Sequence, residues 1–181
     1  MSERPVALLL EAASEGDQAA WNALVDRYAR LVWSVVRGFR LDDAAAHDVF
    51  QTVWLRLVEH VDRIREPERL PGWLSMTAKN ESIRVLKRQK RQIPSDFEYD
   101  VADPTARDFA DPLIDLESIE VAIDAFEQLS PEHQQLMRLL CADPPLDYET
   151  IASIIDRPIG SIGPTRARCI AKLRAIIGEE S

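Results

Sequence analysis

The sequence predicts an all-α protein made of two small helical domains joined by an acidic flexible linker, the C-terminal one a helix-turn-helix. Three observations carry this. Apolar residues recur at three- and four-residue intervals along most of the chain, the spacing of one buried helix face. No segment of convincing length alternates with the period of two that a strand needs. Charge is also unevenly partitioned. Residues 1–93 hold 15 basic and 13 acidic side chains, residues 94–127 hold 1 and 11, and residues 128–181 hold 6 and 7, for a chain net of −9. The 181 residues, 46% of them hydrophobic, suffice for one ordinary domain or two small ones.

The elements follow in order. A short helix from Pro5 to about Glu15 would turn Leu8, Leu9 and Leu10 inward. Asp17 then caps a long helix, Gln18 to Phe39, with Trp21, Leu24, Val25, Tyr28, Leu31, Val32, Val35, Val36 and Phe39 on one face. Asp42 or Asp43 starts a third helix that runs to about Val61, its core side made of Val49, Phe50, Val53, Trp54, Leu57 and Val58. The polar stretch Asp62–Arg69 with Pro67 reads as a loop. Pro71 suits the first turn of a fourth helix, which stops before Pro94.

Residues 94–115 carry three prolines and seven acids with few aliphatics, too little apolar surface to offset chain entropy. They read as a linker. Helices resume at Leu116, with Ile119, Ile123, Phe126 and Leu129 on one face. Ser130-Pro131-Glu132 supplies a cap, a first-turn proline and an early acid for the next helix. Asp147 caps a short helix, Arg157–Gly160 makes a turn, and Ser161 caps a final basic helix. The resulting division is 1–93, 94–115 and 116–181.

Several function classes fall away. No apolar run approaches the ~18–20 residues of a membrane span, and the N-terminus lacks a signal-peptide pattern. Cys141 and Cys169 are far apart with no CxxC spacing, so neither a disulfide scaffold nor a zinc site is expected and a reducing cytoplasm is the default. His47, His60 and His133 lack metal-ligand spacing, no glycine-rich phosphate loop is present, and no nucleophile elbow appears. The expectation is a protein that is not an enzyme, with no cofactor and no metal.

Two basic helices carry the chemistry that remains. The fourth holds Lys79, Arg84, Lys87, Arg88, Lys90 and Arg91 against the one acid Glu81, with Asn80 between them and Trp73 upstream. Cations attract a phosphate backbone, an aromatic ring stacks on an unpaired base, and Asn can bond a base edge. The last helix carries Arg166, Arg168, Lys172 and Arg174 with no acid between Ser161 and Ile177. As the second helix of a helix-turn-helix it would enter a major groove, where Arg can contact guanine bidentately.

The successive segments AHDVFQTVWLRLVEHVDRI, LPGWLSMTAKNESIRVLKRQKR, LSPEHQQLMRLL and YETIASIIDRPIGSIGPTRARCIAKLR resemble, in order and at the right spacing, the regions of an extracytoplasmic-function (ECF) sigma factor of the sigma-70 family. These bacterial transcription initiation subunits retain only the second and fourth sigma domains. The resemblance implies binding to core RNA polymerase through its β′ coiled-coil and β flap, and recognition of promoter DNA. It also implies control by an anti-sigma factor that masks the polymerase-binding faces. Asp48, Gln51 and Thr52 match the β′-contacting positions, with Thr52 where the family often has Glu. Trp73, Lys79, Asn80, Arg84, Lys87, Arg88 and Arg91 fall in the part that engages the −10 element and opens the strands. Arg84 stands where Asp is frequent. The loop Asp62–Arg69 resembles the one that captures a flipped base. The −35 element would fall to Ser161, Pro164, Thr165, Arg166, Arg168 and Lys172, with Gly163-Pro164 replacing a Val-Lys-like pair. The alternative is a helix-turn-helix regulator that binds duplex DNA without polymerase. It leaves the DVFQ helix and the fourth helix without a role.

Overall fold

The computed structural model describes residues 4–92 and 116–179, with side chains over 4–90 and 121–178. The acidic stretch 94–115 lies outside the described residues. Eight α-helices follow one another: α1 Val6–Ser14, α2 Gln18–Arg37, α3 Asp43–His60, α4 Leu70–Gln92, α5 Leu116–Glu127, α6 Pro131–Leu140, α7 Tyr148–Ile155 and α8 Ile159–Glu179. Two short 3₁₀ turns, Val61–Arg63 and Pro67–Arg69, separate α3 from α4. No strand occurs among the described residues.

The helices begin where polar caps stand. Asp17 accepts from the amides of Ala19 (2.8 Å) and Ala20 (3.3 Å), and Asp42 from that of Ala45 (2.8 Å). Asp147 accepts from Thr150 (2.6 Å) and Ser130 from His133 (3.4 Å). Each satisfies an amide that the first helical turn leaves unpaired. The start of α8 differs from the sequence expectation. Asp156 takes a left-handed conformation (φ +52°) that ends α7, and α8 begins at Ile159, directly after Pro158. Ser161 is therefore not a cap. It lies inside the helix, and its hydroxyl donates back to the Pro158 carbonyl (2.7 Å). Pro158 is why: its fixed φ suits the entry to a helix, so the turn is spent on Asp156 and Arg157 instead of on Gly160.

Helices α1–α4 pack around Leu24, Leu31, Val32, Val35, Val53, Leu57, Leu70 and Leu74, all buried. An aromatic ladder closes one flank, with Trp33 stacked on Phe50 (4.6 Å) and Phe50 edge-on to Trp54 (5.9 Å). Three residues assigned inward by periodicity are exposed: Leu8, Val58 and Ile123. In the C-terminal half, the buried amide of Gln134 donates to the carbonyls of Glu127 and Leu129 at the end of α5 (3.1 Å each). The two halves also pack together, α2 against α6 and α4 against α7. Leu136, Leu139, Ile151, Ile154 and Ile162 belong to the same apolar cluster as the N-terminal core.

Candidate nucleic-acid interface

Three surfaces collect the polar residues singled out from the sequence. On α3, Asp48 and Gln51 are exposed and Thr52 is half-buried, its hydroxyl bonded to the Asp48 carbonyl (2.7 Å). They line a groove between α3 and α4 together with Leu55, Glu81, Arg84 and Arg88. Sequence reasoning missed Leu55, 62% exposed, and Val58, 54% exposed. The signal was available. Gln51, Leu55 and Val58 follow a four-then-three spacing that marks a second face of α3, distinct from the buried Val49-Val53-Leu57 face.

The second surface is on α4. Asn80 is exposed and shares a shallow patch with Ile83, Arg84, Lys87 and Arg88. Arg84 is held by both oxygens of Glu81 (2.9 Å each), and Arg56 of α3 reaches the same carboxylate at 3.5 Å. Glu59 first, then Glu81, hold the Arg56 guanidinium above its ordinary pKa. Trp73 is half-buried beside His60 (6.1 Å between rings) and borders a cleft with Arg63, Ile64, Arg65 and Arg69. That cleft is formed by the Asp62–Arg69 loop and puts an aromatic ring beside Arg63 and Arg65, with Arg69 paired to Glu66 (2.6 Å) in the same lining, a setting able to hold a planar base and its phosphate. Lys79 does not join this surface. Its side chain is buried, and its ammonium pairs with Asp156 (2.8 Å) and the Ser153 carbonyl of α7. Neighbouring residues on a helix project about 100° apart, so Lys79 and Asn80 serve different faces. The Arg91 side chain lies outside the described residues.

The third surface is α8. Its outermost line is small: Gly160, Pro164, Ala167 and Ala171 are all exposed. Cations flank it, Arg166 and Arg174 on one side and Arg168 and Lys172 on the other, as the 100° helical step requires. Their partners are neutral oxygens. Arg166 reaches the Tyr148 hydroxyl (3.2 Å), Arg168 the Thr165 hydroxyl (3.1 Å), and Lys172 the Gln128 carbonyl (2.8 Å). Thr165, Ser161 and Arg168 line a hollow with His133, Glu132 and Arg157. Pro164 sits in the second turn of α8 and donates no amide, so the helix runs on there without the backbone bond that residue would otherwise make to the Gly160 carbonyl.

Residues 24–92, which carry the first two surfaces, match the family described as Sigma-70 region 2. Over 164 residues the chain is 27% identical to the ECF RNA polymerase sigma-E factor of Escherichia coli K12, covering 86% of this chain and 85% of that protein. The Haemophilus influenzae protein of the same name is 27% identical over 163 residues, 85% of each chain. The family match and these relatives together support an ECF sigma factor. The fold of the chain is similar to that of CnrH, solved in complex with the cytosolic domain of CnrY. That match has a TM-score of 0.56 and 18% identity, and it covers 98% of this chain and 100% of the other. It is also similar to RpoE from Bartonella quintana, solved with the anti-sigma factor NepR (TM-score 0.57, 20% identity, 84% and 94% covered). Sigma factors are transcription initiation factors, not enzymes. No helix among the described residues is long and apolar enough to cross a membrane.

Proposed function

We propose that this chain is an ECF sigma factor that binds core RNA polymerase through the α3 face and reads two promoter elements through two separate helices, α4 at −10 and α8 at −35. The carrying observation is the pairing of two basic, exposed helix surfaces on opposite halves of the chain with an exposed α3 stripe that mixes Asp48, Gln51 and Thr52 with Leu55 and Val58. Exposed aliphatics beside a few polar groups suit a protein partner, whereas arginines around a small-residue ridge suit a phosphate backbone. On this reading residues 1–93 form the polymerase-binding and −10 unit, 116–181 form the −35 unit, and 94–115 connect them. Trp73 and the cleft beside it take an unpaired base, while Asn80, Arg84, Lys87, Arg88 and Arg91 meet the opened strand. Ser161, Pro164, Thr165, Arg166, Arg168 and Lys172 meet the −35 duplex. The β flap is assigned to the C-terminal unit, and an anti-sigma factor is the expected regulator.

Co-purification and run-off transcription with core polymerase test this together. Asp48→Arg reverses a charge at the docking face and should weaken the polymerase complex by about 2–5 kcal/mol while leaving the helical spectrum unchanged. Wild-type polymerase yield with Asp48→Arg would reject the α3 assignment. Tight sequence-specific duplex binding by the free chain at physiological salt would favour a polymerase-independent regulator instead. Net −9 opposes such binding at long range.

A further inference from the structure

We propose that α8 reads one base of the −35 element with its backbone: Pro164 leaves the Gly160 carbonyl out of the helical ladder, and that oxygen accepts from the exocyclic amine of an adenine or a cytosine. The inference deepens the reading of α8 given above and rests on it. Pro164 stands inside a 21-residue helix that begins at Ile159. In an α-helix each carbonyl is taken by the amide four positions on, and proline has no amide to give. The Gly160 oxygen therefore lacks its ladder partner, and the proline ring crowds it away from the straight helical path. Gly160 and Pro164 are both exposed, on the side of α8 away from the buried Ile162 and Cys169, so the freed acceptor belongs to the outward line of the helix.

The fold itself gives no reason for this composition. Gly160, Gly163 and Pro164 place three helix-weakening residues in the first two turns of α8. A Cβ at either glycine would meet nothing within 4 Å, so no neighbour demands a glycine there. Gly38 is the contrast, since a Cβ on it would lie 2.7 Å from the Gln135 side chain of α6. Backbone conformation does not demand the α8 glycines either, because the left-handed glycine among the described residues is Gly16. What Gly160, Gly163 and Pro164 share is the freed oxygen. Positions three and four apart adjoin on a helix surface, and with no side chain at 160 or 163 nothing overhangs the carbonyl. A donor from outside α8 can reach it.

The chemistry of the acceptor names the donor. In the major groove the donors are the N6 amine of adenine and the N4 amine of cytosine, whereas guanine and thymine turn acceptors that a carbonyl repels. The first half of the second helix of a helix-turn-helix is where base edges are met. The cations beside the oxygen, Arg166 and Arg168, offer donors alone. The two hydroxyls are engaged, Ser161 with the Pro158 carbonyl and Thr165 with Arg168. Asn and Gln usually read adenine, yet α8 holds neither, nor any Asp, and its one carboxylate, Glu179, stands at the far end. The Gly160 carbonyl supplies the acceptor that these side chains lack.

The test sets one amine on the DNA against one amide on the protein. Pro164→Ala keeps the residue small and restores the amide that closes on Gly160. Holoenzyme made with the full chain, wild type or Pro164→Ala, is titrated with promoter duplexes that carry each base pair in turn at every −35 position. The wild type should prefer adenine or cytosine at one position by about fivefold. Replacing that base by its analogue without the exocyclic amine should cost the wild type about fivefold and Pro164→Ala less than about twofold. Preferences at the other −35 positions should be the same in both proteins. A proline that mattered only to helix shape would instead scale affinity for all sequences together. In the free variant, the new amide at position 164 should be protected from hydrogen exchange about tenfold or more. An unprotected amide there, no amine dependence in the wild type, or equal amine dependence in both proteins would each overturn the proposal. If the wild type shows no preference at any −35 position, the reading of α8 fails with it. If it shows preferences and none rests on an amine that Pro164→Ala ignores, the reading of α8 stands and the carbonyl alone is rejected.

Discussion

Helices α4 and α8 are both long, both rich in arginine, and built on opposite electrostatic plans. On α4 one exposed cation is tethered by an internal carboxylate: Glu81, 8% exposed, holds Arg84 and draws Arg56 across from α3. On α8 the three cations with recorded contacts rest on a phenol, a hydroxyl and a carbonyl, none of which cancels charge. The same residue type therefore presents a positioned guanidinium on one helix and an uncompensated one on the other. A partly neutralised, oriented surface suits an opened strand held by base contacts. An uncompensated one suits attraction to duplex phosphates.

The largest expected effect is on the core face of α8. Cys169 is fully buried while Arg168 beside it is exposed. Cys169→Arg buries an unpaired charge and should cost about 3 kcal/mol or more. Hydrogen exchange followed through the thermal transition would show whether only α5–α8 open or the shared apolar cluster takes α1–α4 with it. Loss of protection confined to the C-terminal helices would mean that the halves are energetically separate despite their contact.

The next effect is on specificity and separates the two surfaces. Arg166→Ala should relax preference at the −35 element by about 1–3 kcal/mol if it contacts a base bidentately. Asn80→Ala should reduce strand opening and leave −35 preference unchanged. Transcription from promoter libraries randomised at each element, with permanganate footprinting, reads both. Matching shifts at both elements for either variant would break the distinction between α4 and α8.

Alkaline titration compares the two cores more gently. Burial pushes the Cys169 thiol of α8 and the Tyr28 phenol of α2 above their ordinary values of 9.0 and 10.0. Both groups hold their protons more tightly folded than unfolded. Their contribution is thus full below those ordinary values and is lost as pH rises through the raised ones. Denaturant midpoints should be flat from pH 7.5 to about 9 and fall above it. Cys169→Ala should remove the earlier part of the fall and Tyr28→Phe the later part. An identical profile in both variants would assign the loss to other groups.

Much of this was legible in the chain, because caps and periodicity are local. Asp17, Asp42, Ser130 and Asp147 each sit where the sequence places a helix start, and each accepts the expected amide. What failed was tertiary. Val58 continues the apolar rhythm of α3 yet faces solvent on the second stripe it shares with Gln51 and Leu55, since the apolar rhythm alone does not say which face is buried. Lys79 reads as one more cation in a basic run, and only a contact with Asp156 at the end of another helix removes it from that surface. The split of Arg166 from Arg168 was available from the 100° step, but grouping α8 residues by charge concealed it.

The smallest and sharpest test converts one helix into the other. Glu81→Gln keeps the size of the side chain, removes the anion, and gives α4 the electrostatic plan of α8. Stability should change by less than about 1 kcal/mol, because Arg84 is 66% exposed and its ion pair is screened by water. The effect should appear in binding. With Glu81 neutral, Arg84 is released toward phosphate while Arg56 stays paired with Glu59 at 2.8 Å, adding one counterion-releasing contact. For single strands each contact steepens the fall of log K with log salt by about 0.7. Affinity of the holoenzyme for a forked −10 template, titrated over a range of salt, should therefore show a slope steeper by about 0.7, with −35 duplex binding unchanged. A weaker slope would mean that Glu81 positions Arg84 for its contact and that orientation outweighs charge on α4. An unchanged slope would mean that Arg84 does not meet the strand, and the contrast between the two helices would then have no part in promoter binding.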